Sequence, residues 1–164
     1  CFSDLTSTTG SGVSNFAWDN GNGYLGIGTN SPNSALQVKG SIATAITAPT
    51  GSYAVTASDS VIIADAASGA FTLSLPTAVG ISGRRYSVKK SDGSANAVTI
   101  DPFSTQLIDG SVSYDLSVQN DAVSFVSNGA NWVIDTQVKK SLDVSYDISG
   151  ATATSFAKIG RAHF

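Results

Sequence analysis

The chain has 164 residues, of which 41% are hydrophobic and only 13% charged, with a formal net charge of −3. That length holds one domain of ordinary size plus extensions, and the weakly acidic balance excludes the basic stripe that nucleic-acid binding asks for. All twelve acidic residues are aspartate, which favours turns and caps over helix interiors, so the chain is expected to be nearly all β.

Cys1 is the one cysteine, which rules out an intrachain disulfide and a thiolate metal cluster. A chain that begins at Cys1 and contains no methionine is expected to be an internal fragment of a longer product. No run is long and apolar enough for a membrane-spanning helix, and no basic region followed by an apolar one opens the chain, so no membrane insertion is expected.

In chain order, residues 1–23 are polar and turn-rich, with a short alternating island at Phe16-Ala17-Trp18 and a turn cluster over 19–23. A small apolar strand is expected in the segment that opens at Tyr24, then a Thr29-Asn30-Ser31-Pro32 turn and a second short strand over 35–38. Gly21-Asn22-Gly23-Tyr24-Leu25-Gly26 matches a dinucleotide fingerprint letter for letter. The chain continues into a turn and Pro32, not into the helix whose N-terminus would hold a pyrophosphate, so the match reads as a glycine-rich turn. Asp19 to Gly23 lacks the oxygen ligands and the closing glutamate of a calcium loop. Residues 41–52 read as an Ala/Thr/Ser linker.

From residue 53 onward strand signals recur, with alternation from Phe71 on. Tyr53–Ala57, Val61–Ala64 and Phe71–Leu75 come first, the last stopped by Pro76, which cannot donate to a ladder. Between Arg85 and Asp135 apolar residues alternate with hydroxyl-rich ones, including Tyr86/Val88, Val98/Ile100, Val112/Tyr114/Leu116/Val118, Val123/Phe125 and Trp132/Ile134. Asp92-Gly93, Asp109-Gly110 and Asn128-Gly129 separate these runs and read as tight hairpin turns, so the stretch is expected to be a β-meander. The expected fold is thus all-β: a small antiparallel β-sandwich or barrel over 53–136, preceded by an extended fibre-like segment over 1–40. Its core is expected to draw on Ile62, Leu73, Leu75, Val88, Ile100, Leu116, Phe125 and Trp132. A module of that size buries only about 60–65% of its chain surface, so partner subunits would help it. Residues 137–164 read as one further strand at Val144/Tyr146/Ile148 and an unpatterned tail. Within that tail Ile159-Gly160-Arg161-Ala162-His163 resembles a translated sequencing adapter, so 159–163 read as non-native.

Two pieces carry a family resemblance. Tyr24-Leu25-Gly26-Ile27-Gly28-Thr29-Asn30-Ser31-Pro32 with Leu36-Gln37-Val38 resembles the Gly-Ile-Gly-Thr-x-x-Pro segment of phage tail fibres and related surface fibres, often found upstream of an intramolecular chaperone domain. The 53–136 block resembles a β-module of phage tail-fibre and tail proteins. The matching residues include Val61-Ile62-Ile63-Ala64-Asp65, Leu73-Ser74-Leu75-Pro76, Arg85-Tyr86-Ser87-Val88, Ile108-Asp109-Gly110 and Asn131-Trp132-Val133-Ile134. The resemblance implies a structural or adhesive segment of a trimeric fibre, located in the virion or at the cell surface, that supports host attachment. Its partners would be copies of the chain and a host-surface glycan.

No chemistry rises from the residues. The one histidine is His163, so neither a triad nor a His-based zinc site is expected, and no cofactor is implied. Glycoside hydrolysis needs a facing carboxylate pair, and the aspartates sit in turns or at strand ends, where they bond their own backbone. The chain reads as not an enzyme. Trp132, Tyr114 and Tyr86 are the candidates for a glycan or subunit contact, against the competing reading that they fill the core. Two other readings compete with the fibre: a carbohydrate-binding module of a bacterial secreted protein, and a fragment of a polysaccharide-degrading tailspike.

Overall fold

The structure is a computed structural model, and it describes residues 16–140. The strand expected at Val144/Tyr146/Ile148 and the tail 159–163 lie outside the described residues. Among the described residues there are twelve strands and no helix, so the chain is all-β. It divides into two compact units, with the boundary between Ala45 and Ile46.

In the first unit β1 (Phe16–Asp19), β2 (Tyr24–Ile27) and β3 (Leu36–Val38) form one sheet in that order. β1 and β2 are an antiparallel hairpin closed by the Asp19 carboxylate, which accepts from the Gly21 amide at 3.0 Å and the Asn22 side chain at 2.8 Å. These bonds hold the carboxyl below the usual range, the Asn22 side chain contributing most. β3 returns parallel to β2, which a tight hairpin cannot achieve, so the intervening chain arches over one face of the sheet.

The second unit contains two sheets. One runs β12 (Trp132–Val138), β11 (Ala122–Ser127), β8 (Arg85–Lys90), β6 (Val61–Ala64), β4 (Ile46–Thr47). The other runs β10 (Tyr114–Leu116), β9 (Val98–Asp101), β7 (Phe71–Ser74), β5 (Tyr53–Ala54). From β4 to β9 the chain changes sheet at every step, and β4, β6 and β8 pair in parallel, as do β5, β7 and β9. The result is a coil of three rungs. Each crossover between parallel neighbours is made by a strand of the other sheet instead of a helix. β10 then turns back antiparallel on β9, and the β11–β12 hairpin lies antiparallel against β8.

This corrects the antiparallel meander. Alternation reports which residues face inward, and every one of the eight expected core residues is buried, but it does not say which strand is the neighbour. Val61-Ile62-Ile63-Ala64 does carry a parallel signal, being an unbroken apolar run, and β6 is held between two parallel neighbours. One hydrophobic cluster joins residues of both sheets, with Ile62, Val88, Phe125 and Trp132 from one and Leu73, Val98, Ile100 and Leu116 from the other.

Three local expectations also change. Asp92-Gly93 is no hairpin, because β8 and β9 belong to different sheets. The 41–52 linker supplies β4, a strand too short to show alternation. Val112 lies outside β10 and is exposed. Asp109-Gly110 does form a tight turn, with φ of 46° and 83° at its two centres and reciprocal backbone bonds between Ile108 and Ser111.

Candidate interaction surfaces

Two of the three aromatic contact candidates lie inside the core. Trp132 opens β12 on its inward phase and is wholly buried, and its indole Nε1 donates to the Pro76 carbonyl at 3.2 Å. Tyr86 is inward on β8, and its hydroxyl donates to the Thr56 carbonyl at 3.0 Å. The two rings lie 5.5 Å apart at 51°, a tilted pair. Burial pushes the Tyr86 phenol upward, partly offset by the charge of Arg84. Neither side chain reaches a surface, so the glycan or subunit contact expected of them is corrected to a core role.

Tyr114 is half-buried. Its ring stands edge-on to Phe125 at 6.0 Å, its hydroxyl donates to Gln137 Oε1 at 2.6 Å, and the Lys139 ammonium sits 4.5 Å from its ring centre. The Tyr114 phenol is raised by burial first and then by the charge of Asp121. Its flat face is therefore already occupied by a cation of the same chain.

Aspartates hold the crossovers of the coil. Asp59 is buried and accepts from the Thr47 hydroxyl, the Tyr53 hydroxyl, and the Thr56 amide and hydroxyl, which ties β4 and β5 to the loop before β6. Burial alone would raise its pKa, but these bonds together outweigh burial and hold it below the usual range. Asp92 accepts from Lys90 Nζ at 2.6 Å, the Ala66 amide at 2.7 Å and the Ser94 amide at 2.9 Å. Here too burial opposes, and the bonds from Lys90, Ser94 and Ala66 prevail and push the carboxyl far down. Asp121 is buried and bonds the amides of Val118 and Lys140. Asp109 bonds the Ile134 amide, and Asp135 pairs with Arg85. Among the described residues no group of three or more His, Cys, Asp or Glu is placed to hold a metal ion.

The first unit presents a different kind of surface. Phe16 lies opposite Ile27, which lies opposite Val38; Trp18 lies opposite Leu25, which lies opposite Leu36. Directly opposite residues share a face, so all six side chains stand on one side of the three-stranded sheet. Four of the six are exposed, Leu36 at 56%, Trp18 at 51%, Phe16 at 49% and Ile27 at 39%, while Leu25 and Val38 are half-buried.

The other side is closed by the chain's own arch. Gly26 is buried there, and a Cβ at that position would lie 2.3 Å from the Thr29 carbonyl oxygen. Gly28 has φ +74°, and its Cβ would meet the Lys39 carbonyl at 2.9 Å. Pro32 is buried, and Gln37 Oε1 accepts from the Asn33 amide at 2.9 Å. The apolar face escapes sequence reasoning because its three contributing runs are only three or four residues long. The alternating Phe16-Ala17-Trp18 island and the Leu36/Val38 pair are its traces, and only the pairing register aligns them.

No protein-family model matches the chain, and no curated protein matches it.

Proposed function

We propose that this chain is a structural, adhesive segment of a phage tail fibre or a similar surface fibre, assembled as a homotrimer and supporting attachment to a host surface, with a host-surface glycan as the ligand of the assembled fibre. The observation that carries the reading is the three-rung coil. Stacked parallel rungs hold an apolar core inside and offer short strands at the β4/β5 end, an architecture whose output is shape. Repeating units of this kind make extended scaffolds, because each rung is supported by its neighbours.

Two further observations support it. The Gly-Ile-Gly-Thr-Asn-Ser-Pro segment, on which the fibre resemblance rests, is specified by backbone geometry: Gly26 and Gly28 fit where a side chain would collide, and Pro32 is buried in the arch. Asp59 and Asp92 act as hydrogen-bond hubs at the crossings of the coil, and Asp121 bonds the amides of Val118 and Lys140, a structural use of carboxylates that fits a scaffold. Several copies on one particle turn weak glycan contacts into firm attachment.

The test has two arms on the intact chain. Native mass spectrometry giving a three-chain species supports the fibre reading. A single-chain species that binds defined glycans on an array moves the assignment to an autonomous carbohydrate-binding module.

A further inference from the structure

We propose that Asn20 is a site of self-modification: the Gly21 backbone nitrogen displaces its side-chain amide, and the turn gains a new carboxylate at a rate that Asp19 restrains. The inference is independent of the fibre reading and needs no partner.

The chain contains three Asn-Gly pairs, at 20–21, 22–23 and 128–129. In each, glycine has no side chain to obstruct the approach of its nitrogen to the asparagine Cγ. The nitrogen bonds to Cγ, ammonia leaves, and a five-membered succinimide closes. Water then opens one of its two carbonyls, giving either aspartate or an isoaspartate whose backbone runs through the side chain. One ammonia is lost and one water is taken up, with no oxidation or reduction. The reacting groups are the same in all three pairs, so the sequence does not rank them. The structure does, because the amide N–H and the asparagine side chain must both be free to meet.

At Asn128 both halves are held. Its Oδ1 accepts from the Ala130 amide at 3.0 Å and the Asn131 amide at 2.8 Å, and the Gly129 amide donates to Ser127 Oγ at 3.1 Å. At Asn22 both halves are held as well. Its Nδ2 donates to Asp19 Oδ2 at 2.8 Å, and the Gly23 amide donates to the Asp19 carbonyl at 2.8 Å. Asn20 is exposed, and its side chain bonds no other described residue. What restrains this pair is the Gly21 amide, which donates to Asp19 Oδ1 at 3.0 Å. That bond has a charged acceptor and must open before attack, which slows the step by about tenfold or more. Either product sets a second carboxylate beside Asp19. Isoaspartate also lengthens the backbone of the turn 20–23, next to the Asp19–Tyr24 pair that closes the hairpin.

The test is a time course on the intact chain in mildly alkaline buffer, read by peptide mapping with fragment-ion spectra that separate Asn20 from Asn22. Asn20 should convert ahead of Asn22 and Asn128 in the folded chain, and the three rates should converge in urea. Asp19→Ala should speed conversion at Asn20 by about tenfold or more. Asp19→Asn keeps an acceptor oxygen without the charge and should fall between the parent and Asp19→Ala, which a hairpin that merely unfolds would not produce. Conversion first at Asn22 or Asn128, a ranking that persists in urea, or an Asn20 rate unmoved by Asp19→Ala would overturn the proposal.

Discussion

Lys90 and Asp92 form an ion pair of 2.6 Å in which the ammonium is fully enclosed and the carboxylate side chain is only 6% exposed. Lys90 ends β8 and Asp92 begins the crossing to the other sheet, while the Ala66 amide approaches the same carboxylate from the β6–β7 crossing, one rung earlier. One carboxylate thus fastens two successive rungs. Asp92→Asn leaves a buried ammonium without its counter-charge and is expected to destabilise the fold by about 3–5 kcal/mol. In a double-mutant cycle with Lys90→Met, the combined loss should fall short of the sum of the single losses. Urea unfolding measures all three, and strict additivity would show that the pair does not act as a unit.

Asp59 and Asp92 both have folded pKa values below that of an unfolded aspartate, near 3.9. A depressed carboxylate contributes stability that is complete above the unfolded value and lost as pH falls through the folded one. Stability of the second unit should therefore be level at about pH 6 and decline below about pH 4. Asp92→Asn should flatten that decline. Urea midpoints at about pH 6, 4 and 2 provide the check, and a variant with an unchanged acid slope would show that Asp92 is not a source of the decline.

The two tryptophans should respond oppositely to truncation. Trp132→Ala removes a fully buried ring packed on Tyr86 and is expected to cost about 3–5 kcal/mol. Trp18→Ala removes a half-exposed ring and should shift the unfolding of the second unit by less than about 0.5 kcal/mol. Equal losses in thermal or urea unfolding would mean that the burial assigned to the two residues is wrong.

Gly26 and Gly28 are expected to tolerate no side chain. Gly26→Ala places a methyl 2.3 Å from the Thr29 oxygen and forces the arch to move, at roughly 1–3 kcal/mol. Gly28→Ala adds about 1–2 kcal/mol of left-handed strain to a 2.9 Å approach. Hydrogen exchange of the β1–β3 amides should rise in both variants, while the protection of β6, β8 and β11 stays as in the parent. Unaltered exchange in β1–β3 would refute the arch geometry.

The inward phase is legible in the sequence wherever a strand is long enough to alternate. Period alone puts Leu73, Val88 and Phe125 inside, and they lie there. Pairing direction is not legible from alternation, because a period of two is the same for parallel and antiparallel neighbours, and only the unbroken run Val61–Ala64 carries a trace of it. The Asp-Gly signal is ambiguous for a related reason. At 109–110 it makes a tight turn, whereas at 92–93 the aspartate turns inward to a buried lysine two residues earlier. The surface site is the least legible part. Trp132 stands out as the larger aromatic of the strand-rich stretch, yet it opens β12 on the inward side and is wholly buried. Trp18 sits in a strand of four residues, and its face exists only once the partner runs are aligned.

Sedimentation equilibrium of the intact chain decides whether three copies assemble. A fibre segment should give a species of three times the 16.7 kDa chain mass at low micromolar concentration. A single-chain mass that persists on raising the concentration would contradict the homotrimer.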